Sequence, residues 1–324
     1  MSTFHPIKTS TIRLVIVFYS ISICCSAFLA CGGTTGGSSF FGSSSPKIVL
    51  NSVDDLYQFL TYDENRYPLV SAHRGGPLSG YPENALETFA YHAQQQALII
   101  ECDIRMTRDS VLILMHDETL DRTTNGNGKV VDHTYAELQE LFLVDPDAEL
   151  TNFKIPTLDQ ALAWGKGKVV YTLDVKRDVP YTLVNESIQR NNAEAISVVI
   201  TYSADQAMVV NRLNPDLMIS ASIRSAGDLL RLNDRNVPDN RLVAFVGVSE
   251  ADRGVYELLH GHGIMCILGT MGNLDRQAAT RGAEVYADLI ERGADILSTD
   301  RPEEAGAVLE QYRTEQQINS IFIK

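Results

Sequence analysis

The segment Leu98-Ile99-Ile100-Glu101-Cys102-Asp103-Ile104 sets two carboxylates two residues apart inside an apolar run. In a β-strand residues i and i+2 share a face, so Glu101 and Asp103 point together while Ile100, Cys102 and Ile104 point the other way. Paired carboxylates repel one another, and each is costly to desolvate alone. A hard divalent cation relieves both costs and favours oxygen ligands. An isolated Glu-x-Asp is more often a solvated edge; the interior character of its neighbours turns this one toward a metal. Val170-Tyr171-Thr172-Leu173-Asp174-Val175-Lys176 ends in the same way, with Asp174 and Lys176 on one face. Alone, that pair could be a plain strand-end ion pair. Beside the first segment, Asp174 reads as a third metal ligand and Lys176 as a contact to an anionic substrate oxygen.

Two histidines also stand at strand ends. His73 follows Leu69-Val70-Ser71-Ala72 and opens His73-Arg74-Gly75-Gly76; His116 follows Val111 to Met115 and precedes Asp117. Either one alone reads as a hydrogen-bonded structural residue. Together, near an acidic cluster, they suit general acid and general base work close to neutral pH. Arg74 supplies a planar fork matched to phosphate oxygens. Pro82-Glu83-Asn84 precedes a helical pattern, so Asn84 is a candidate N-cap. Glu83 could share that role, or both could support the metal site from behind.

These residues need a scaffold that brings strand ends together. Strand patterns fall at Leu69–His73, Leu98–Ile104, Val111–His116, Val169–Val175, Ile196–Thr201, Leu217–Ser222, Leu242–Val248, Ile264–Leu268 and Ile296–Thr299. Helical patterns lie between many of them, at Ala85–Gln96, Leu158–Trp164, Tyr181–Asn192, Asp205–Leu213, Gly227–Asn233, Val255–His260 and Gln277–Arg292, after a lead-in at Val53–Leu60. Strand–helix alternation predicts a parallel sheet covered by helices. The strand number, with polar residues at C-terminal strand ends, favours an α/β TIM (β/α)8 barrel over an open doubly wound sheet. The candidates exceed the eight staves of a barrel by one, so one short run is peripheral. Between His116 and Pro156 the alternation breaks, which predicts a small insertion over the mouth (about residues 118–156) after the second barrel strand, with a short helix near Tyr135–Leu141.

In this order the motifs resemble the glycerophosphodiester phosphodiesterase family: His73-Arg74-Gly75 with Glu83-Asn84, Glu101-x-Asp103, His116-Asp117, Leu120-Asp121-Arg122-Thr123-Thr124, Ile155-Pro156-Thr157-Leu158 and Ser298-Thr299-Asp300-Arg301-Pro302. The likeness runs from about Leu69 to Pro302. It implies a TIM barrel with one Mg²⁺ or Ca²⁺ held by Glu101, Asp103 and Asp174. It implies also that His73 and His116 form the acid–base pair and that Arg74 contacts phosphate. Asp174-Val175-Lys176 stands where the family usually has Glu-x-Lys, an arrangement similar to the phospholipase D group of spider toxins. Ile267-Leu268-Gly269-Thr270-Met271-Gly272-Asn273 stands where many members carry a Trp-Thr-Val-Asn run that packs on glycerol, and the single tryptophan, Trp164, lies elsewhere.

The chain opens with Lys8, Arg13 and an uncharged, mostly apolar run from Leu14 to Ala30, which read as an export signal. A membrane-spanning helix is the competing reading. Phe28-Leu29-Ala30-Cys31-Gly32 resembles a bacterial lipobox, so residues 1–30 read as a lipoprotein signal peptide and Cys31 as a lipidated, membrane-attached first residue of an envelope protein. Cleavage there removes two bases and no acid, taking the formal charge from −14 to −16. That balance argues against nucleic-acid partners. Gly32–Ser45 is Gly, Ser and Thr with two Phe, a flexible tether placed at residues 31–50 ahead of a domain at 51–324 whose core spans 69–315. Once the signal is gone, Cys102 and Cys266 remain as packing thiols. The expected activity is metal-dependent hydrolysis of a small phosphodiester, with no protein partner expected. The rivals are a phospholipase D-like enzyme on lysolipid or glycerophosphoinositol headgroups and a lipid-anchored protein that binds phosphorylated ligands without turnover.

Overall fold

Period-2 alternation in the strands becomes the inside and outside of a closed barrel. The computed structural model describes Pro46–Lys324, together with Met1; the expected signal, the expected lipidation site Cys31, the competing membrane span and most of the expected tether lie outside the described residues. The strands are β1 (Leu69–Ala72), β2 (Leu98–Met106), β3 (Leu112–Leu114), β4 (Val170–Val175), β5 (Ser197–Thr201), β6 (Met218–Ser222), β7 (Leu242–Gly247), β8 (Cys266–Gly269) and β9 (Ile296–Thr299). Eight pair in parallel in the order β1-β9-β8-β7-β6-β5-β4-β2, and β1 pairs with β2 to close the ring. The surplus candidate is β3, which is antiparallel to the end of β2.

Outward-facing residues such as Ile100, Cys102, Ile104, Tyr171 and Leu173 join the core beneath the helices. Inward-facing Leu69, Ile99, Val170, Val198, Met218, Val243 and Ile296 form an apolar lower plug, sealed by Leu56 and Phe59 of the lead-in helix Val53–Phe59. Above the plug the inward positions turn polar: Ser71, Glu101, Thr172, Ser220 and Ser298 line a cavity at the C-terminal strand ends. One barrel interior is therefore half packed core and half site.

Three details depart from the sequence reading. Residues 47–50, assigned to the tether, are inside the fold: Ile48 is buried, bridges Ile323 and donates its N–H to Lys168 O. The helical pattern Gln277–Arg292 is two helices, Asn273–Arg281 and Val285–Glu291, parted at Gly282, whose φ of 115° suits a residue without Cβ. A final helix, Pro302–Glu315, starts on a proline pre-set for the first turn and buries Ala305, Gly306 and Leu309. The insertion between β3 and the helix Leu158–Gly165 has a small core of its own, Leu120, Val130, Leu138, Leu143 and Ile155, set against Ile113 and Met115. Its short helix is Tyr135–Leu138, opened by a Thr134–Glu137 capping box.

Candidate active site

The register of β2 against β4 puts Asp103 directly opposite Asp174 and Glu101 opposite Thr172. All three carboxylates are buried, and they offer ligand atoms within 4.8 Å of one another. The β3 hairpin folds back so that Met115 N donates to Asp103 O at 3.0 Å, which delivers His116 to the same rim. His73 is the first residue beyond β1, whose Ala72 lies opposite Ile100. Both histidines and all three carboxylates line one cavity of about 270 Å³.

The turn after β1 is built for this convergence. Arg74, Gly75 and Gly76 all have positive φ (52°, 85° and 78°). A Cβ on Gly75 would lie 2.3 Å from the Phe89 ring, so glycine is required there. The left-handed Arg74 costs strain that its surroundings must sustain; its N–H, in return, donates to Glu101 Oε2 at 2.8 Å. Asn84 is not a helix cap. Ala85 occupies the N-cap position of the helix Leu86–Ala93 without a side-chain bond. Asn84 instead gives Nδ2 to Asp103 Oδ2 (2.8 Å) and takes the Asp103 N–H on Oδ1 (3.0 Å), gripping that carboxylate from behind.

Lys176 Nζ lies 2.6 Å from both Asp103 Oδ1 and Asp174 Oδ2. It is engaged with these two carboxylates, not held free for a substrate oxygen. Burial works against the charge of Asp103, but Lys176 and Asn84 hold the carboxyl below its usual range. Burial likewise opposes the Lys176 charge, and the two aspartates outweigh it. Glu101 lacks such a counterion. Burial first, and Asp103 second, push it up to about 8. The cluster therefore carries less positive charge than its carboxylates require. An oxygen-only donor set short of positive charge fits a hard divalent cation.

Each histidine has an aspartate on Nδ1. His73 Nδ1 is 2.7 Å from Asp300 Oδ1, and its Nε2 is 4.0 Å from Glu101 Oε2. Burial lowers the His73 pKa, but the Asp300 bond and the Glu101 charge prevail and leave it above the ordinary value. His116 Nδ1 is 2.7 Å from Asp117 Oδ1, and Arg105 Nε holds the His116 carbonyl at 3.0 Å. With Nδ1 committed to a carboxylate, Nε2 of each ring is the nitrogen left to exchange a proton. From the insertion, Arg122 clamps Asp117 (2.6 Å) and Glu83 (2.8 Å), and Glu83 pairs with Arg74 at 3.2 Å. Arg122 holds the Asp117 carboxyl far below its usual range. The buried Arg74 Nε has no partner and lies 3.8 Å from Asp103 Oδ2.

Sequence reasoning missed several members. Periodicity and spacing give Asp300 and Arg122 no role beyond membership of a motif. Tyr202 and Phe245 supply aromatic surface to the cavity from β5 and β7, and Met271 lines it from the run that lacks tryptophan. Tyr202 also donates its hydroxyl to Asp174 Oδ1 at 2.8 Å. Its position just beyond a strand, like that of His73, was the available signal. A second grouping of metal-ligating residue types, His260, Cys266 and Asp295, has its carboxylate already taken by Arg66 and His260. Cys102 and Cys266 are free, buried thiols.

Residues 73–304 match the family model described as the glycerophosphoryl diester phosphodiesterase family. A solved structure of a glycerophosphoryl diester phosphodiesterase from Parabacteroides distasonis superposes with a TM-score of 0.80 at 36% identity, over 83% of this chain and 95% of that one. A glycerophosphodiester phosphodiesterase of Bacillus subtilis is 32% identical over 46% of this chain, an alignment that takes in 57% of that protein. A second Bacillus subtilis protein, the uncharacterized YqiK, is 29% identical over 74% of this chain and 98% of its own length.

Proposed function

This chain belongs to the glycerophosphoryl diester phosphodiesterase family, and on that premise we propose that it is a metal-dependent phosphodiesterase that hydrolyses glycerophosphodiesters to glycerol phosphate and an alcohol. The observation that carries the reading is the meeting of Glu101, Asp103 and Asp174 with two aspartate-backed histidines in one cavity. Mg²⁺ or Ca²⁺ bound by those carboxylates would neutralise charge growing on the phosphoryl oxygens. Arg74, with its unpartnered Nε, adds positive charge beside them. One histidine takes a proton from the attacking hydroxyl, whether of the substrate or of water, and the other protonates the departing alcohol oxygen. Asp300 and Asp117 keep each ring in the tautomer that leaves Nε2 for this exchange. Replacing His73 or His116 by Ala should cost roughly 10²–10⁴-fold in turnover each. Near-normal hydrolysis of glycerophosphodiesters by both variants would end the proposal.

The same reading makes the protein an exported lipoprotein anchored through Cys31 to the cell envelope. The chain enters the described fold beneath the barrel, where Ile48 N meets Lys168 O just ahead of β4. Substituting Cys31 by Ala should move the protein from the membrane fraction to the soluble one; unchanged fractionation would remove the anchor.

A further inference from the structure

The two aspartates behind the histidines are held in different ways. Asp117 has its carboxylate gripped by Arg122 at 2.6 Å. Asp300 gives one oxygen to His73, carries no such cation among the described residues, and keeps a side chain 48% exposed. An exposed carboxylate loses rotamer freedom when it binds a ring, and a backbone fixed beforehand lowers that cost. The aim of Asp300 therefore depends on what holds its main chain.

Asp275 holds it. This residue lies in the first turn of the helix Asn273–Arg281 and is buried. An aspartate there is favoured by its own helix dipole and needs no other role. Yet Asp275 makes its side-chain bonds at the end of β9 and on the next helix. Its Oδ2 accepts the Asp300 N–H at 3.0 Å, and its Oδ1 accepts the hydroxyls of Thr299 (2.8 Å) and Tyr286 (3.0 Å). Thr299 Oγ1 in turn accepts the Arg301 N–H at 3.0 Å. All three residues at which β9 leaves the barrel are thus tied, directly or through one bond, to a single carboxylate. The run ahead of Asp275 is fastened to β9 as well: Thr270 donates its N–H (2.7 Å) and its hydroxyl (3.1 Å) to Ser298 O. A carboxylate with three neutral donors could merely pin two helices to a strand. Burying a charge for that purpose alone is costly, and Oδ2 is spent on the N–H of the residue that reaches His73.

We propose that Asp275 is a positioning residue: by fixing the main chain of Asp300 it aims that carboxylate at His73 Nδ1, and so sets the tautomer and orientation of the ring. The proposal rests on the phosphodiesterase reading for its kinetic consequence, though not for its geometry. Asp275→Leu keeps the branched shape and removes both acceptors. Asp275→Asn can turn its amide oxygen to the Asp300 N–H while the two hydroxyls adapt to its nitrogen. On the Mg²⁺-loaded full chain with glycerophosphocholine or glycerophosphoglycerol, the leucine variant should lose about 10-fold to 100-fold in kcat, and the asparagine variant should rescue most of that loss. In an Asp300→Ala background the leucine substitution should cost no more than about twofold, because nothing is left to aim. Nitrogen NMR of the metal-free protein, at a pH where the ring is neutral, should find His73 as the Nδ1–H tautomer in the wild type and a mixture in the leucine variant. An undiminished loss of kcat in the Asp300→Ala background overturns the proposal, and so does a wild-type tautomer in the leucine variant. Asp275→Ser, polar but too short to reach the Asp300 N–H, takes the place of a leucine variant that does not fold. If neither folds, Asp275 acts through stability alone and the proposal falls. If the wild type hydrolyses neither diester while the tautomer shifts as expected, the phosphodiesterase reading fails and the positioning of His73 stands.

Discussion

Asp103 and Asp174 stand opposite each other across the parallel β2–β4 ladder, bridged by the Lys176 ammonium 2.6 Å from each. Two buried carboxylates at adjacent ladder positions repel unless positive charge lies between them. Lys176 supplies it on the same side chain face that sequence spacing indicated. Replacing Lys176 by Met leaves the aspartates unpaired and should cost about 3 kcal/mol of stability in chelator. A divalent cation should restore more stability to the variant than to the wild type. Thermal melts with and without Mg²⁺ measure both effects, and equal stabilisation of the two proteins would refute the arrangement.

Glu101 is the one candidate ligand of the three with no nearby ammonium of its own. Substitution by Gln keeps the size and the bond from Arg74 N but removes the charge. Isothermal calorimetry should show divalent-cation affinity reduced by about 10-fold to 100-fold, and activity should fall with it. Chelation of the wild type should abolish turnover, with return on adding Mg²⁺ or Ca²⁺. Undiminished hydrolysis in excess EDTA would exclude the metal-dependent reading.

The Asp300–His73 pair predicts a pH signature. His73 titrates above its ordinary value in the folded protein, because the Asp300 bond and the Glu101 charge overcome burial. Its contribution to stability is therefore complete below the unfolded pKa of about 6.5 and is lost as pH rises through the folded value. Asp300→Asn should narrow its stability gap to the wild type, about 1 kcal/mol below pH 6, as pH rises. In metal-free protein the His73 ring should titrate lower in the variant by NMR. An unchanged titration would show that Asp300 does not govern the ring.

Asp117 predicts the opposite sign. Arg122 holds its folded pKa far below the unfolded value, so its contribution exists above about pH 4 and is lost as pH falls through the folded pKa. Arg122→Leu should therefore be less stable than the wild type by about 1 kcal/mol above pH ~4, after solvent screening, with the gap closing as pH falls. It should also lower turnover, since Glu83, Arg74 and the His116 partner lose a common clamp. Acid unfolding curves that coincide for variant and wild type would count against this clamp.

Much of the site was legible because local rules reach it. Period-2 alternation places Glu101 with Asp103 and Asp174 with Lys176, whatever the fold. A histidine after an apolar run is a strand-end histidine in any parallel barrel. Asn84 shows the limit of such rules. Its type and place before a helix suit a cap, yet it is Asp103, nineteen positions on, that takes its side chain. Likewise residues 47–50, of which Ile48 and Leu50 are buried, look like the tail of a tether until their partners at 322–324 are known.

What the amino-acid sequence determined by itself is periodicity: the strands, most of the helices, which side chains share a face, and a pairing of carboxylates that could hold a cation. What only the tertiary structure decided is register and closure. Nothing local sets Asp103 against Asp174, joins β1 to β2, or brings Asp300 to His73 across 227 positions. Those choices depend on how whole faces pack around the barrel axis, so the bond between two distant polar side chains follows from the burial of many apolar ones.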